Sequence, residues 1–182
     1  MNFYTIETER LLLRKLSPND LKFIFKSYSE QDIRIILGHT TDEEFQKEKI
    51  KFENGYTTHN RSFENFQLID KSTHKIIGHC GFHNWYVDHQ RAELGYMIKD
   101  EDYKRKGIMS EALSAIIDYG FNSMDLHRIE ALVGSDNTAS LRIMNKFGFI
   151  KEGLLREHYF IHGKFEDSLV FSRLRSDQQK II

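Results

Sequence analysis

Residues 103–113 read YKRKGIMSEAL, a short basic turn with one glycine that leads straight into a helical pattern. From residue 113 onward apolar side chains recur at steps of three and four residues, which predicts a helix with one buried face. Those side chains are Leu113, Ile116, Ile117, Phe121 and Met124. The turn therefore lies at a helix N-terminus, where unpaired backbone N–H groups and the helix dipole favour a bound phosphate group. Arg105 and Lys106 add positive charge, and the local pattern alone fits a phosphate-binding turn and a solvated surface loop equally well.

The length and composition of the chain predict one globular domain over residues 1–182. Hydrophobic residues make up 40% of the chain, with 14 Phe and 8 Tyr, which argues against disorder. Since 26 basic residues face 27 acidic ones, the overall charge does not indicate nucleic-acid or membrane binding. The one cysteine, Cys80, cannot form an internal disulfide, and the sequence has no secretory signal pattern and no apolar run of membrane-spanning length. We therefore expect a cytoplasmic protein.

Local patterns predict the elements of the first half of the chain. Ser17 and Pro18 have the order of a helix cap and a first helical residue. The predicted elements are a strand at 10–14, helices at about 19–28 and 41–56, and strands at 65–70, 75–85 and 90–99. Residues 33–39 fit either a helix end or a loop. In the last of these strands the period of two places Glu93, Gly95 and Met97 on one face, and the glycine permits a bulge or the close approach of a ligand.

The second half repeats the order of strand, helix and strand. A strand is predicted at 127–134, a helix from about 136 that ends near Gly148, and a hairpin of strands at 154–160 and 165–174. Since the helices separate strands in the sequence, at least one pair of strands is expected to be parallel within a mixed sheet.

With these elements in order, the chain resembles the GCN5-related N-acetyltransferase (GNAT) superfamily, and within it the RimJ/RimL-type branch that acetylates ribosomal-protein N-termini. The stretches that carry the resemblance are 8–14 (TERLLLR), 92–96 (AELGY), 105–113, 137–140 (NTAS), 146–149 (KFGF) and 152–167. The resemblance implies an α/β fold with a mixed, mostly antiparallel sheet of about seven strands and about four helices. It also implies a cleft between two splayed central strands and acetyl-CoA as the acetyl donor.

By this resemblance, residues 104–110 form the loop that holds the pyrophosphate of CoA. The predicted contacts come from Lys104, Arg105, Lys106, Gly107, Ile108, Met109 and Ser110. Two positions depart from the family pattern, which has Gln or Arg at position 104 and Gly or Ala at position 109. Backbone N–H groups hold a phosphate mainly by themselves, so Met109 is acceptable if its backbone need not adopt a positive φ.

Glu93 stands 11 residues before Lys104, the spacing of the family's catalytic glutamate. A base is needed because an acceptor amine is protonated at neutral pH, with an ordinary pKa of about 8 for an α-amino group. The resemblance predicts Glu93 as that base, through a water molecule, and the alternative is a carboxylate that orders the splayed strands.

The resemblance also predicts contacts to the rest of the cofactor. The backbone of Met97 and Ile98 is expected to pair with the pantetheine arm, and Asn137 and Ser140 are expected to contact the cofactor from the next helix. For Asn137 the alternative is a plain helix cap. The tyrosine that protonates the leaving thiolate in much of the superfamily is replaced by Met144, and Ser140 is the predicted acid in its place.

Acceptor contacts are predicted at Trp85, Tyr86, His158 and Tyr159, for which aromatic packing at strand ends is the alternative. No metal is expected, since His79, Cys80, His83 and His89 lack a convincing ligand spacing. The predicted function is acetyl transfer from acetyl-CoA to a primary amine in a ternary complex, with a protein N-terminus favoured. A polyamine, amino acid or antibiotic is the alternative acceptor, and a noncatalytic acyl-CoA-binding module is the alternative of another class. The sequence also allows a homodimer through edge strands or the tail hairpin.

Overall fold

The computed structural model describes residues 2–56 and 61–180. Within these residues eight strands form one sheet and five α-helices accompany it. The strands are β1 (Thr5–Glu7), β2 (Leu11–Leu16), β3 (Ser62–Asp70), β4 (Ile76–Tyr86), β5 (Arg91–Ile98), β6 (Arg128–Gly134), β7 (Ile150–Ile161) and β8 (Lys164–Leu174). The helices are α1 (Pro18–Ser27), α2 (Glu30–Leu37), α3 (Asp42–Asn54), α4 (Ile108–Asn122) and α5 (Thr138–Lys146).

The sheet has the order β1-β2-β3-β4-β5-β6-β8-β7, and neighbouring strands are antiparallel except for the β5–β6 pair. The predicted mixed, mostly antiparallel α/β sheet is therefore confirmed, with one strand and one helix more than expected. The short strand β1 was not predicted as a separate element. Helix α2 covers most of residues 33–39, which the sequence left open between helix and loop.

Helix ends follow the local signals in the sequence. Ser17 and Asp20 form a capping box at the start of α1, with Pro18 at its first position. Asn137 caps α5, and Gly148 beyond its end has a left-handed φ of 67°. The predicted boundaries of both helices therefore agree with the structure to within about two residues.

The two faces of the sheet bury different clusters. One face packs against α4 and α5 and forms the main core, which includes Phe66, Cys80, Phe82, Leu113 and Met144. A smaller apolar cluster lies among α1, α2 and α3 with the end of β2. Because side chains alternate along a strand, the residues of β3, β4 and β5 between the core positions face this second layer.

Strands β5 and β6 diverge after a short parallel pairing. Their ladder joins Arg91, Ala92 and Glu93 to residues 128–130 and ends there. From Leu94 onward β5 pairs only with β4 in the described sheet, while β6 continues with β8. A cleft therefore opens between the two central strands immediately beyond Glu93, as the resemblance implied. In the described ranges no helix combines the length and the apolar character needed to cross a membrane.

Candidate active site

Helix α4 begins without a side-chain cap, unlike the other four described helices, which Ser17, Ser29, Thr41 and Asn137 cap. Its N-cap is Gly107, with a φ of 77°, and its first helical hydrogen bond runs from the Glu111 N–H to the Gly107 carbonyl, 3.0 Å. The N–H groups of residues 108–110 therefore point out of the helix end. Arg105 also has a positive φ of 59°. Residues with positive and negative φ thus alternate in this turn, and such an alternation turns successive N–H groups towards one anion.

Arg10, the residue before β2, holds this turn through hydrogen bonds. Its guanidinium donates to the Lys106 carbonyl through Nη1 at 3.0 Å and to Glu111 Oε2 through Nε at 2.6 Å. Thr8 donates its hydroxyl to the other oxygen of Glu111 at 2.5 Å. Burial would raise the pKa of Glu111, but these hydrogen bonds outweigh burial and lower it. The sequence analysis did not identify Arg10 as a site residue, since its partners lie about a hundred positions away.

The two unusual loop residues leave the backbone of the turn intact. Met109 lies inside α4 and is buried, so its position does not require a positive φ. Lys104 forms an ion pair with Glu101 and supplies less net charge than predicted. Beside the turn runs a groove of about 770 Å³ lined by Arg10, Gly107 and Ser110, and by Lys146 and Phe147 from the end of α5.

The open half of β5, residues 94–98, contains the predicted contacts Met97 and Ile98 and pairs with β4 alone in the described sheet. Met97 is 47% exposed and Ile98 is partly buried, and their pairing partners lie on β4. The position of the family's tyrosine is occupied by Met144, which is fully buried in the core and has no proton to give. The predicted acid, Ser140, lies in the first turn of α5, where its N–H donates to Asn137 Oδ1 at 3.0 Å. Asn137 is therefore a helix cap, which leaves its amide nitrogen for a ligand.

Tyr96, which the sequence analysis did not select, lies beside Ser140. Its hydroxyl is buried and has no hydrogen bond of ordinary geometry with any described residue. Burial raises the pKa of the Tyr96 hydroxyl, and the neighbouring Ser140 side chain partly offsets that rise. The pair thus places two hydroxyl groups beside the open half of β5, where the cleft begins.

Glu93 is held on the other face of β5, at the last residue of the β5–β6 ladder. Its Oε1 lies 3.1 Å from His83 Nε2, and its Oε2 accepts a hydrogen bond from Asn84 Nδ2 at 2.8 Å. Burial would raise the pKa of Glu93, but hydrogen bonds from His83 and Asn84 outweigh it and lower the pKa. Glu93 is consequently ionised at neutral pH, with both carboxylate oxygens in contact with these neighbours.

A cavity of about 560 Å³ adjoins Glu93 between α3 and the sheet. Its wall combines apolar side chains, such as Leu21, Phe63 and Phe82, with the polar side chains of His79, His83, Asn65 and Tyr56. Burial lowers the pKa of His79, which favours its neutral form. An adjoining cavity of about 320 Å³ shares His79 and Asn65 and extends towards Lys99.

The four predicted acceptor residues divide into two pairs. The Arg91 guanidinium carbon lies 4.1 Å from the centre of the Tyr86 ring. Trp85 packs against the main core. His158 and Tyr159 have ring centres 4.4 Å apart on β7, and both interact electrostatically with Glu93. Neither pair lines the cavity between α3 and the sheet. The acceptor roles of all four therefore stay predictions, with His158 and Tyr159 nearer the carboxylate.

Residues 10–150 match the family model described as an acetyltransferase (GNAT) domain. The chain belongs to this family. It is therefore an acetyl-CoA-dependent N-acetyltransferase, and the resemblance seen in the sequence is confirmed. The GNAT chain is 35% identical over 175 residues to the uncharacterized N-acetyltransferase p20 of Bacillus licheniformis, covering 95% of this chain and 97% of p20.

Two further GNAT proteins differ in the acceptors that their names give. A spermidine N(1)-acetyltransferase of Vibrio cholerae is 26% identical over 159 residues, 87% of this chain and 89% of that protein. The crystal structure of a ribosomal-protein-S5-alanine acetyltransferase from Vibrio fischeri has a TM-score of 0.69 and 25% identity, covering 96% of this chain and 98% of that one. The comparisons thus give the reaction class and leave the acceptor of this chain open.

Proposed function

We propose that this GNAT enzyme transfers the acetyl group directly from acetyl-CoA to a protein N-terminal amine in a ternary complex. The observation that carries the proposal is the position of Glu93. It lies where the β5–β6 ladder ends, and its cross-strand neighbour His83 lines the cavity between α3 and the sheet, while the uncapped start of α4 offers a site for the donor. A donor and an acceptor that bind at these two places meet at the open half of β5.

The donor side suits the pyrophosphate and pantetheine of CoA. The N–H groups of residues 108–110 and the dipole of α4 favour the phosphates, and Arg105 and Lys106 add charge. Beyond Glu93 the edge of β5 that faces β6 has no strand partner in the described sheet, so the backbone of Met97 and Ile98 is available to a pantetheine amide. An N–H group there would also stabilise the oxyanion of the tetrahedral intermediate.

The chemistry needs one group that accepts a proton and one that donates it. Removal of the amine proton is proposed to depend on Glu93, which the sequence analysis predicted as the base acting through a water molecule. Ser140 is the acid proposed for the leaving thiolate, and the buried Tyr96 hydroxyl beside it supports this assignment. A second hydroxyl beside Ser140 gives that side chain a neighbour from which it can regain a proton.

The charges around the acceptor cavity favour a peptide over a polyamine. A polyamine carries several positive charges and would need several carboxylates without cationic partners. Here Glu48 pairs with Lys51 at 3.0 Å, and Glu44 pairs with Lys99 at 2.8 Å. The imidazole, amide and phenol groups of the wall instead match the N–H and C=O groups of a peptide backbone. A small amine remains the second candidate, supported by the similarity to the Vibrio cholerae spermidine enzyme.

Thermal stabilisation by acetyl-CoA, followed by thiol release with an acceptor panel, tests the proposal. The panel contains N-terminal peptides, the same peptides blocked by N-terminal formylation, spermidine and single amino acids. We expect stabilisation, and thiol release that is fastest with unblocked peptides. Faster release with spermidine would identify a small-amine enzyme. Stabilisation without release for any amine would indicate a binding module, and the absence of stabilisation would contradict the donor site. The cytoplasmic location and the homodimer stay predictions.

A further inference from the structure

His83 forms a close pair with Glu93 at the vertex of the cleft. The two residues are directly opposite each other in the β4–β5 ladder, and His83 Nε2 lies 3.1 Å from Glu93 Oε1. The His83 side chain is 49% exposed and lines the 560 Å³ cavity, whereas the Glu93 side chain is only 12% exposed. A molecule in the cavity therefore reaches the imidazole more easily than the carboxylate.

The chemistry of the pair fixes which ring nitrogen can accept a proton. An ionised carboxylate only accepts hydrogen bonds, so the Nε2 atom that faces it must carry hydrogen. In a neutral imidazole the lone pair then lies on Nδ1. A Cβ atom at position 95 would lie 2.8 Å from His83 Cε1 and 2.9 Å from Nδ1, so this edge of the ring covers Gly95. Nδ1 therefore lies over the open half of β5, where the thioester is expected.

Two local features hold this arrangement in place. Gly95 has no side chain, which leaves room for the Cε1–Nδ1 edge of the His83 ring; the sequence analysis had allowed a bulge or the close approach of a ligand at this glycine. The ladder between β4 and β5 is irregular between His83 and Tyr86, and Asn84 there has a φ of 46°. This bulge returns the Asn84 amide to Glu93 Oε2 at 2.8 Å. Bulges of this kind re-aim side chains beside functional sites, and asparagine tolerates the left-handed backbone.

We propose that His83 Nδ1 takes the proton from the acceptor amine and that Glu93 is the positioning residue that orients His83 and stabilises its imidazolium. The proposal rests on the acetyl transfer proposed above and names the group that contacts the amine. It also explains why Glu93 is enclosed by two donors, an arrangement that suits an ionised partner of a histidine better than a base in direct contact with substrate.

The proton and electron balance of the step is complete. The protonated amine gives one proton to His83 Nδ1, and its nitrogen lone pair then forms the C–N bond to the acetyl carbon while the carbonyl π electrons move to oxygen. Collapse of the intermediate restores the C=O bond and breaks the C–S bond, with the electron pair leaving on sulfur. The nitrogen gives its second proton to Ser140 Oγ as the Ser140 hydroxyl gives its own proton to the thiolate, so that Ser140 ends unchanged. His83 then releases the first proton to solvent. The products are the amide, CoA thiol and one proton released to solvent.

Kinetics of four variants test the role of His83 against a role of Glu93 alone. The variants are His83→Gln, Glu93→Gln, the double variant and His127→Gln, a control at an exposed histidine before β6. Steady-state kcat and the KM for acetyl-CoA are measured with the best acceptor. We expect both single variants to lose about 10² in kcat or more with little change in this KM. The double variant should be no slower than the slower single variant, since the two residues act as one unit.

A His83→Gln enzyme that stays within about twofold of the wild type, beside an inactive Glu93→Gln enzyme, would overturn the proposal in favour of Glu93 acting through water. Multiplying losses in the double variant would overturn it as well, because independent groups give additive free energies. The His127→Gln control should match the wild type in kcat and thermal midpoint.

The tautomer of His83 tests the geometry without any acceptor. Long-range proton–nitrogen NMR correlations on histidine-labelled enzyme distinguish the two neutral tautomers, and the His83 signals are those lost in His83→Gln. We expect hydrogen on Nε2 at a pH where the ring is neutral, and loss of this preference in Glu93→Gln. Hydrogen on Nδ1 would overturn the proposal. The Nε2–H tautomer in a protein that acetylates no amine of the panel would instead count against the proposed function.

Discussion

The proposed donor turn at the start of α4 and the proposed acceptor cavity between α3 and the sheet differ in the groups expected to bind a ligand. On the proposed donor side, the backbone N–H groups at the start of α4 are the expected binding groups. On the proposed acceptor side, the side chains of His83, Glu93 and their neighbours are the expected binding groups. The donor turn therefore tolerates Lys104 and Met109, which depart from the family pattern, because neither changes the path of the backbone. A single change on the acceptor side removes a functional group outright.

Glu93→Gln is expected to have the largest effect and tests whether the acceptor side can be impaired without the donor side. We expect kcat to fall by about 10²–10⁴, because the variant loses the charge that orients His83 and stabilises its imidazolium. The midpoint shift given by acetyl-CoA should stay as in the wild type, since Glu93 lies on the acceptor side. Initial rates at saturating acceptor, together with melting curves with and without acetyl-CoA, check both parts. A parallel loss of acetyl-CoA binding would show that the two sides are not separate.

Tyr96→Phe tests whether the buried hydroxyl beside Ser140 takes part in proton transfer to the leaving thiolate. Removing a buried hydroxyl that lacks an ordinary hydrogen bond should leave the thermal midpoint unchanged or raise it. We expect kcat to fall by about tenfold, less than for Glu93→Gln, because Ser140 remains as proton donor. An unchanged kcat would exclude Tyr96 from the transfer of the proton to the thiolate. Melting curves separate this result from a folding defect.

Arg10→Ala should weaken the donor side alone. The variant loses the hydrogen bond to the Lys106 carbonyl and the ion pair with Glu111, so the turn is held less firmly. A charge-assisted hydrogen bond contributes about 1.5–3 kcal/mol, and we expect the KM for acetyl-CoA to rise by about tenfold with little change in kcat. Lys22→Ala, at an exposed position of α1, is the matched control for the loss of one positive charge. A fall in kcat with unchanged KM would contradict this separation.

Glu44→Gln should have the smallest effect and a defined pH dependence. Hydrogen bonds from Lys99 and from the Thr40 backbone lower the pKa of Glu44 from its ordinary value to about 2. Because the folded-state pKa is the lower one, the ionised carboxylate stabilises the fold above about pH 4.5, and this stabilisation is lost as the pH falls towards about 2. A mostly solvated pair of this kind contributes up to about 1 kcal/mol.

We therefore expect Glu44→Gln to lower the thermal midpoint by about 2–4 °C at neutral pH. The difference from the wild type should shrink as the pH is lowered from about 4.5 to about 2. A difference that stays constant over this interval would show that packing between α3 and the sheet, and not the charge of Glu44, is responsible. Melting curves at closely spaced pH values measure it.

Much of the fold could be predicted because its signals are local. The caps at Ser17 and Asn137, the left-handed Gly148 and the apolar period of α4 each act within one or two turns of chain. Helix α2 could not be assigned, because its eight residues include only a short apolar pattern and its cap at Ser29 is not followed by a strong helical period. The short strand β1 depends on its pairing with β2, which the sequence does not state.

The sequence analysis selected site residues that occupy a position in a family motif. It missed residues that reach the site only through contacts between distant parts of the chain. Glu93 and the turn at 104–110 follow from spacing and resemblance, and their roles await the tests above. Arg10 contacts the turn although it lies about a hundred positions earlier in the chain. Tyr96 and Ser140 are likewise far apart in the sequence and become neighbours only in the folded chain. The sequence analysis considered His83 only as a possible metal ligand. Its closeness to Glu93 could not be predicted, because that distance depends on the register between β4 and β5.

The sequence by itself determined the elements other than β1 and α2, and the turn that opens α4, because periodicity, capping and backbone preference act between residues close in the chain. Only the tertiary structure decided that His83 lies opposite Glu93 and over Gly95, with Asn84 turned back by a bulge. Strand register is set by the packing of whole faces, and a shift of one residue would turn His83 to the other side of the sheet.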